Sequence, residues 1–168
     1  MHRNRLTRLL DEVERVDKWK LMHRGPLHSW INPQSNLVLI GDACHPMLPY
    51  LAQGANSSIE DGAVLGLLLS AKHIASKEDL PRALQLFERL RKARSEAIAR
   101  ETFKQRRDFH MKDGEEQVAR DKLMEGVLNG VCEVGEGHPS RWSDPRVKGW
   151  LWGYDAVKEV EGVLGEAT

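Results

Sequence analysis

Apolar residues recur every three or four positions over residues 5–16 and again from residue 80 to Phe109, which is the spacing of amphipathic α-helices. Between these stretches, residues 63–69 are apolar on every side, so the pattern predicts a helix that is buried all round. A more heavily charged helix is predicted over 115–128, and a short helix near the end of the chain. The pattern as a whole predicts a mainly helical protein.

One short stretch has a different pattern. Residues 37–40 are four apolar residues in a row, and they follow turn-forming residues at 32–36. This pattern predicts a β-strand that stops at Gly41 and Asp42. A strand that ends in Gly-Asp and leads through a loop into a helix can bring a carboxylate and a helix N-terminus to one small-molecule site.

The helix after this loop is predicted to begin near Asn56 or Ser57. Ser57 is followed three residues later by Glu60, and Ser58 by Asp61, so each pair fits a capping box. In a capping box, the two side chains satisfy backbone donors that would otherwise lack a partner at the start of the helix.

The helix from residue 80 has Pro81 in its first turn, where the missing backbone donor costs little. Its apolar stripe consists of Leu80, Leu84, Phe87, Leu90, Ala93 and Ala97. Its other face carries five basic residues, Arg82, Arg89, Lys92, Arg94 and Arg100. Because the whole chain has no net charge, we interpret this face as solvated surface and not as a nucleic-acid site.

The composition is that of an ordinary folded protein, with 40% hydrophobic and 30% charged residues. The 25 basic and 25 acidic side chains cancel, which gives no reason to expect binding to nucleic acid or to an anionic membrane. No apolar run reaches the roughly 18 residues of a membrane span, and no signal-peptide core is present. Cys44 and Cys132 match no metal or redox spacing, so we expect no metal site and a cytoplasmic location.

The most specific feature is the run Gly41-Asp42-Ala43-Cys44-His45-Pro46-Met47-Leu48-Pro49, continued by Gln53-Gly54-Ala55-Asn56 and Glu60-Asp61-Gly62-Ala63. It resembles the second flavin-binding motif of the single-component FAD-dependent aromatic monooxygenases, the salicylate-hydroxylase-like group with the p-hydroxybenzoate hydroxylase fold. Segments 19–30 and 150–155 are also similar to these enzymes, though less specifically. Because no Gly-x-Gly-x-x-Gly follows an opening strand, the chain resembles the C-terminal part of such an enzyme.

The resemblance implies that six residues contact the flavin: Gly41, Asp42, Pro49, Gly54, Ala55 and Asn56. Asp42 would accept hydrogen bonds from the ribityl hydroxyls, and Gly41 would let the chain turn sharply beside the ligand. Pro49 would stiffen the loop next to the reactive edge of the isoalloxazine ring. The last three would place backbone donors and a helix dipole at the ring edge that becomes negative on reduction.

Four neighbouring side chains have other expected roles, and no residue is assigned as catalytic. His45 could act as a general base, but we interpret it as an anchor that holds the loop by hydrogen bonding. Cys44 is predicted to be a small buried side chain. Glu60 and Asp61 are interpreted first as capping and first-turn helix acids, and only second as cofactor contacts.

The resemblance implies an α/β, mainly helical fragment of a Rossmann-like FAD-binding fold. Residues 1–128 would be the C-terminal portion of an incomplete FAD-binding domain. Residues 129–140, which contain few apolar side chains, would form a flexible connector. Residues 141–168, which hold three of the five tryptophans, would be a tail that docks on the same domain.

In complete enzymes of this group, NAD(P)H reduces FAD, and oxygen is then used to hydroxylate an aromatic substrate. Because an N-terminal glycine loop holds the pyrophosphate, this chain is expected to bind the ring and ribityl parts of FAD and not to turn over alone. A missing N-terminal half would be its partner. Two alternatives stay open. One is a non-catalytic truncated paralogue that acts as a helical interaction module or as a partner of another flavin-binding chain, and the other is an unrelated helical interaction domain whose motif is accidental.

Overall fold

A computed structural model of the protein describes residues 3–131, 133–135 and 137–165, so Cys132 lies outside the described residues. Within these ranges the chain forms six α-helices: α1 (Arg3–Asp11), α2 (Gly54–Leu68), α3 (Leu80–Phe109), α4 (Glu115–Leu128), α5 (Pro145–Trp152) and α6 (Ala156–Gly165). The chain also makes short 3₁₀ turns at Gly41–Ala43, Pro49–Leu51 and Lys77–Asp79. The mainly helical prediction is confirmed. None of the described helices combines the length and the apolar character that crossing a membrane requires.

The long helix α3 begins where the sequence predicts, with Pro81 in its first turn. The turn before it contains a capping box, in which the Asp79 carboxylate accepts hydrogen bonds from the backbone N–H groups of Ala75 and Ser76. Helix α4 also covers the predicted range. Both helices could be predicted because their signals are local in the sequence.

The larger hydrophobic core lies between α2, α3 and α6. Trp30, Val64, Phe87 and Val160 are all almost fully buried in it. Burial of each such side chain stabilises the fold by about 1.5–3 kcal/mol before the entropy of ordering is counted. A smaller apolar cluster joins α3, α5 and the Pro49–Leu51 turn, and it consists of Leu51, Ile98 and Leu151.

Residues 37–40 do not form the predicted strand. The backbone makes a single antiparallel bridge there, between Ile31 and Val38. Leu37 and Ile40 are exposed, so no neighbouring segment among the described residues covers them. A strand needs hydrogen-bonding partners along its length, and the described part of the chain contains no sheet. The strand expected at residues 37–40 is therefore wrong, and the described residues form helices joined by extended segments with a single bridge.

Helix α2 begins at Gly54, earlier than predicted, and neither predicted capping box is present. Ser57 is buried inside the helix, and the Ser58 hydroxyl donates a hydrogen bond back to the carbonyl oxygen of Gly54 over 3.0 Å. Both serines therefore lie in the helix and not at its cap.

The body of α2 is not buried all round, as the apolar run had suggested. Val64 and Leu68 face the core, whereas Ala63, Gly66 and Leu69 are exposed. One side of α2 thus packs on α3 and α6, and the opposite side is open.

Helix α1 ends at Asp11 and does not continue to residue 16 as predicted. Its apolar side chains do not pack into a core formed by the described residues, since Leu6 and Leu9 are exposed and so are Val16 and Trp19 in the arm that follows. An amphipathic helix is stabilised mainly by packing of its apolar face, so an unpacked one is expected to end early.

The last described residues pack against the helices that precede them. Leu151 is buried against Ile98 of α3, and Val160 of α6 contributes to the larger core. The indole Nε1 of Trp142 donates a hydrogen bond to the backbone carbonyl of Tyr50 over 3.3 Å. These contacts bring the tail close to the loop that follows the Gly-Asp pair.

Candidate functional site

The Gly-Asp pair lies in the 3₁₀ turn Gly41–Ala43, which packs against α2. Gly41 is buried and has φ +58°, a left-handed backbone conformation that residues other than glycine rarely adopt. A Cβ atom at Gly41 would also lie 2.9 Å from the Ser58 hydroxyl. The sequence requires glycine here for two reasons, the backbone conformation and the closeness of α2.

Asp61 of α2 lies at the centre of the buried contacts behind this turn, and its side chain is fully buried. Its Oδ2 accepts hydrogen bonds from the backbone N–H of Gly41 over 2.9 Å and from Nε2 of His45 over 2.6 Å. Its Oδ1 accepts a hydrogen bond from Nε of Arg91 over 2.8 Å. One carboxylate thus joins the Gly-Asp turn, the following loop and α3.

The charges in this cluster shift the ionisation of its members. Burial by itself would raise the pKa of the Asp61 carboxyl, but the hydrogen bonds from His45, Arg91 and Gly41 outweigh it and lower the pKa below its ordinary value. Burial, reinforced by the negative charge of Asp61, raises the pKa of the Cys44 thiol to about 12. Asp61 is therefore charged and Cys44 neutral at physiological pH. The prediction that Cys44 is a small buried side chain is confirmed.

A second acid on α2, Glu60, forms ion pairs with two arginines of α3. Arg94 binds it at two points, with Nε 2.9 Å from Oε2 and Nη2 2.8 Å from Oε1. Nη1 of Arg91 lies 2.7 Å from Oε2 of Glu60, although the angle is not that of a hydrogen bond. Two carboxylates and two guanidinium groups thus balance one another between α2 and α3.

The same cluster reaches the tail of the chain. Arg94 donates hydrogen bonds to the backbone carbonyls of Trp150 and Leu151, over 3.1 and 3.0 Å. The ring of Tyr154 lies beside both guanidinium groups, 4.1 Å from that of Arg94 and 5.1 Å from that of Arg91. Cation–π contacts of this kind help to hold the aromatic segment in place.

The predicted flavin contacts lie around this cluster. The Asp42 side chain is exposed and makes no hydrogen bond or ion pair with the described residues, and Pro49 is exposed at the start of its 3₁₀ turn. The backbone N–H groups of Gly54 and Ala55, in the first turn of α2, find no acceptor among the described residues. Asn56 differs, because its side-chain amide donates a hydrogen bond to Oε1 of Gln53 over 3.0 Å.

Three expectations about charged residues need correction. Glu60 and Asp61 are not capping acids, because they lie in the second turn of α2 and pair with α3. Arg94, which was expected on a solvated face, is buried. Arg91, which is fully buried, was not recognised as part of the site. It could have been found from its place in the apolar stripe, four residues after Phe87 and seven after Leu84.

The side chains of Cys44, His45 and Asp61 also bring three potential metal ligands within 4.8 Å of one another. The existing contacts make this a poor cation site. Both oxygens of Asp61 already accept hydrogen bonds, and the guanidinium group of Arg91 supplies a positive charge at the carboxylate. His45 therefore acts here through its hydrogen bond to Asp61, which is the anchoring geometry expected from the sequence.

Residues 7–102 match the family model of the FAD binding domain. Because this match covers more than half of the chain, the protein belongs to the FAD-binding domain family, whose cofactor is FAD. The matched region contains the Gly-Asp turn, the whole of α2 and most of α3, and it also includes the exposed arm after α1.

Individual relatives agree with this assignment. The chain is 47% identical over 159 residues to the FAD-dependent monooxygenase OpS4 of Beauveria bassiana, and the match covers 95% of this chain and 36% of the relative. It is 34% identical to the FAD-dependent monooxygenase nanF of Aspergillus nanangensis, over 88% of this chain and 27% of the relative. The chain thus spans about a third of the length of these relatives.

Two solved structures are similar in fold to most of this chain, and each is again much longer than the part that superposes. The crystal structure of FqzB superposes with a TM-score of 0.62 and 28% identity, over 87% of this chain and 29% of that one. The structure of CtdE in complex with FAD and a substrate superposes with a TM-score of 0.59 and 26% identity, over 83% of this chain and 28% of that one.

Proposed function

We propose that this chain supplies the ribityl-binding and ring-binding part of the FAD site of a monooxygenase. In the whole protein, NAD(P)H would reduce the flavin, and the flavin would use oxygen to hydroxylate an aromatic substrate. The observation that carries the proposal is Asp42, an exposed carboxylate that no described residue pairs with, on a turn that is fixed from behind by buried contacts.

The residues around Asp42 suit a flavin on chemical grounds. A carboxylate without a protein partner can accept hydrogen bonds from the ribityl hydroxyls. The N–H groups of Gly54 and Ala55, which no described residue accepts from, and the positive end of the α2 dipole can stabilise a negative charge on the pyrimidine edge of the ring. A Cβ atom at Gly54 would meet only the Met47 side chain, at 3.9 Å, so the backbone is open to close approach.

FAD, when bound, would supply the redox chemistry, and the protein would supply binding and electrostatics. Asp42 and the first turn of α2 would hold the ribityl chain and the ring edge. Pro49 would stiffen the loop beside the ring. Asn56, which is tied to Gln53, would act by fixing the helix start and not through a free side-chain amide.

The residues that bind the pyrophosphate and adenine would belong to a segment that corresponds to the part of the relatives not covered by this chain. Exposed apolar side chains are consistent with a partner, because Leu9 of α1 and Trp19 of the arm lie at the surface although both belong to the family match. We therefore propose a Rossmann-like domain of the p-hydroxybenzoate hydroxylase type, completed by a further polypeptide segment.

The test is a titration of the purified chain with FAD, followed by flavin absorbance and fluorescence. We expect saturable binding that Asp42→Ala weakens by about tenfold or more, which corresponds to a lost charge-assisted hydrogen bond. Asp113→Ala, which removes an exposed aspartate between α3 and α4, should leave the affinity unchanged. Equal affinity of the wild type and Asp42→Ala would contradict the role of Asp42.

The exposed apolar residues also favour a second candidate, in which the chain is a non-catalytic partner of another flavin-binding chain. The FAD titration separates the two candidates. Absence of any FAD binding by a well-folded wild-type chain would favour the partner role over a self-contained ring site.

A further inference from the structure

The turn that carries Asp42 is held at one end by a single buried acceptor. Among the described residues, the backbone N–H of Gly41 donates its one hydrogen bond to Oδ2 of Asp61, a residue 20 positions later in the chain. The same oxygen accepts the hydrogen bond from His45. Because Asp61 is fully buried and Asp42 is exposed, the two aspartates have different surroundings and different chemistry.

Asp61 is itself held in place from α3. Arg91 donates from Nε to Oδ1 of Asp61 and from Nη2 to the backbone carbonyl of Ser57, over 2.8 and 3.2 Å. A planar guanidinium group that binds two acceptors fixes both in direction as well as in distance. The orientation of Asp61 is therefore determined by α3, a helix that makes no side-chain hydrogen bond or ion pair with Asp42 in the described part of the chain.

We propose that Asp61, oriented by Arg91 and supported by His45, is a positioning residue that sets the Gly41–Ala43 turn so that Asp42 is presented to the flavin. This inference rests on the proposed function of Asp42 and extends it to a residue that would not touch the cofactor. One oxygen of the Asp61 carboxylate binds the turn and the other binds Arg91 of α3. The position of the cofactor-binding turn therefore depends on the position of α3.

Glu60 provides a matched control, because it is the neighbouring acid on the same helix and also pairs with Arg91, besides its own pair with Arg94. Its hydrogen bonds and ion pairs within the described structure go to Asn56, Arg91 and Arg94 and not to the Gly41–Ala43 turn. Asp61→Asn and Glu60→Gln each remove one negative charge from the same cluster with little change of shape. A purely structural role for the cluster predicts similar effects of the two changes on the turn, whereas positioning predicts an effect of Asp61→Asn alone.

The first measurement is amide hydrogen exchange of the full chain without cofactor, with the Gly41 rate expressed relative to that of Ile98 in the core of α3. We expect Asp61→Asn to accelerate the relative exchange of Gly41 by about tenfold or more, and Glu60→Gln by less than about twofold. An equal acceleration in both variants would overturn the proposal.

The second measurement is the affinity for FAD. Asp61→Asn should weaken binding by about tenfold, and Glu60→Gln by less than about twofold, at temperatures where both remain folded. Unchanged affinity in an Asp61→Asn chain with a loosened turn would overturn the proposal. A wild-type chain that binds no FAD would contradict the proposed function instead, and the exchange experiment would still decide whether Asp61 fixes the turn.

If Asp61→Asn does not fold, His45→Gln takes its place, since it leaves the ion pair between Asp61 and Arg91 intact. We expect it to accelerate the relative exchange of Gly41 by about threefold or more. If His45→Gln accelerated the relative exchange of Gly41 no more than Glu60→Gln does, the proposal would be overturned.

Discussion

Glu60 and Arg94 form a two-point ion pair that connects α2 with the tail of the chain. The two nitrogen–oxygen distances are 2.9 and 2.8 Å, and the same guanidinium group also binds the backbone carbonyls of Trp150 and Leu151. The helix that begins at the proposed flavin site and the end of α5 are thereby held by one side chain.

This relationship predicts that Arg94→Ala destabilises the protein and frees the tail. Removing one partner of a buried ion pair costs about 3–5 kcal/mol, and the remaining contact of Glu60 with Arg91 should reduce the loss to about 2–3 kcal/mol. Urea denaturation, monitored by tryptophan fluorescence, measures this loss of unfolding free energy. The control is Arg89→Ala, an exposed arginine of the same helix, which should change stability by less than about 0.5 kcal/mol. Similar losses in the two variants would contradict the role of Arg94.

A second prediction concerns Gly41. Gly41→Ala should destabilise the chain by about 1–3 kcal/mol, because alanine is strained at φ +58° and its Cβ would lie 2.9 Å from the Ser58 hydroxyl. Gly62→Ala should have the opposite effect, since Gly62 lies in α2 with nothing within 4 Å of an added Cβ. Alanine there should stabilise the helix by about 0.5–1 kcal/mol. Thermal unfolding of both variants measures the contrast, and a neutral Gly41→Ala would refute the strained turn.

A third prediction follows from the lowered pKa of Asp61. A carboxyl whose pKa is lower in the folded than in the unfolded chain stabilises the fold fully above its ordinary pKa of 3.8, and this stability is lost as the pH falls through the folded value. The difference in unfolding free energy between wild type and Asp61→Asn should therefore be constant from about pH 7 to pH 5 and should shrink below about pH 4.

Urea denaturation of both chains across this pH range measures the difference, which we expect to be about 3 kcal/mol at pH 6. Other acids titrate in the same range, but those that lie outside the Asp61 cluster titrate alike in both chains and cancel in the comparison. A difference that persists undiminished below about pH 2 would show that Asp61 does not carry the charge that its contacts require.

A fourth prediction concerns the reactivity of Cys44. Its thiol is buried and its pKa is raised to about 12, so almost no thiolate exists at neutral pH. In a Cys132→Ser background, alkylation of Cys44 by iodoacetamide should be at least about tenfold slower in the folded chain than in urea. Equal rates in the two conditions would mean that the region behind the Gly-Asp turn opens readily.

The helices could be predicted largely from the sequence because their signals are local. Pro81 and the acidic residues before it predict the start of α3, and the spacing of apolar residues predicts that the helix continues to Phe109. The predicted strand at 37–40 could not be judged from its own residues, since a strand forms only where another strand offers hydrogen bonds. The apolar run was recognised correctly, but the described part of the chain offers it a single bridge.

The exposed part of the site was easier to predict than the part behind it. Gly41 and Asp42 belong to a contiguous motif, whereas the partners of Glu60 and Asp61 lie about thirty residues further along, on α3. No local pattern tells a capping acid from an acid that pairs with a distant arginine. The sequence does offer one clue, which is an arginine at position 91 within an apolar stripe.

The most direct test of the central claim compares riboflavin with FAD as ligands of the wild-type chain. If the chain holds the ribityl group and the ring but not the pyrophosphate, riboflavin should bind within about threefold of the affinity for FAD, and Asp42→Ala should weaken both equally. ADP-ribose, which lacks the ring, should not compete. FAD binding that is more than about a hundredfold tighter than riboflavin binding, and insensitive to Asp42→Ala, would contradict the account.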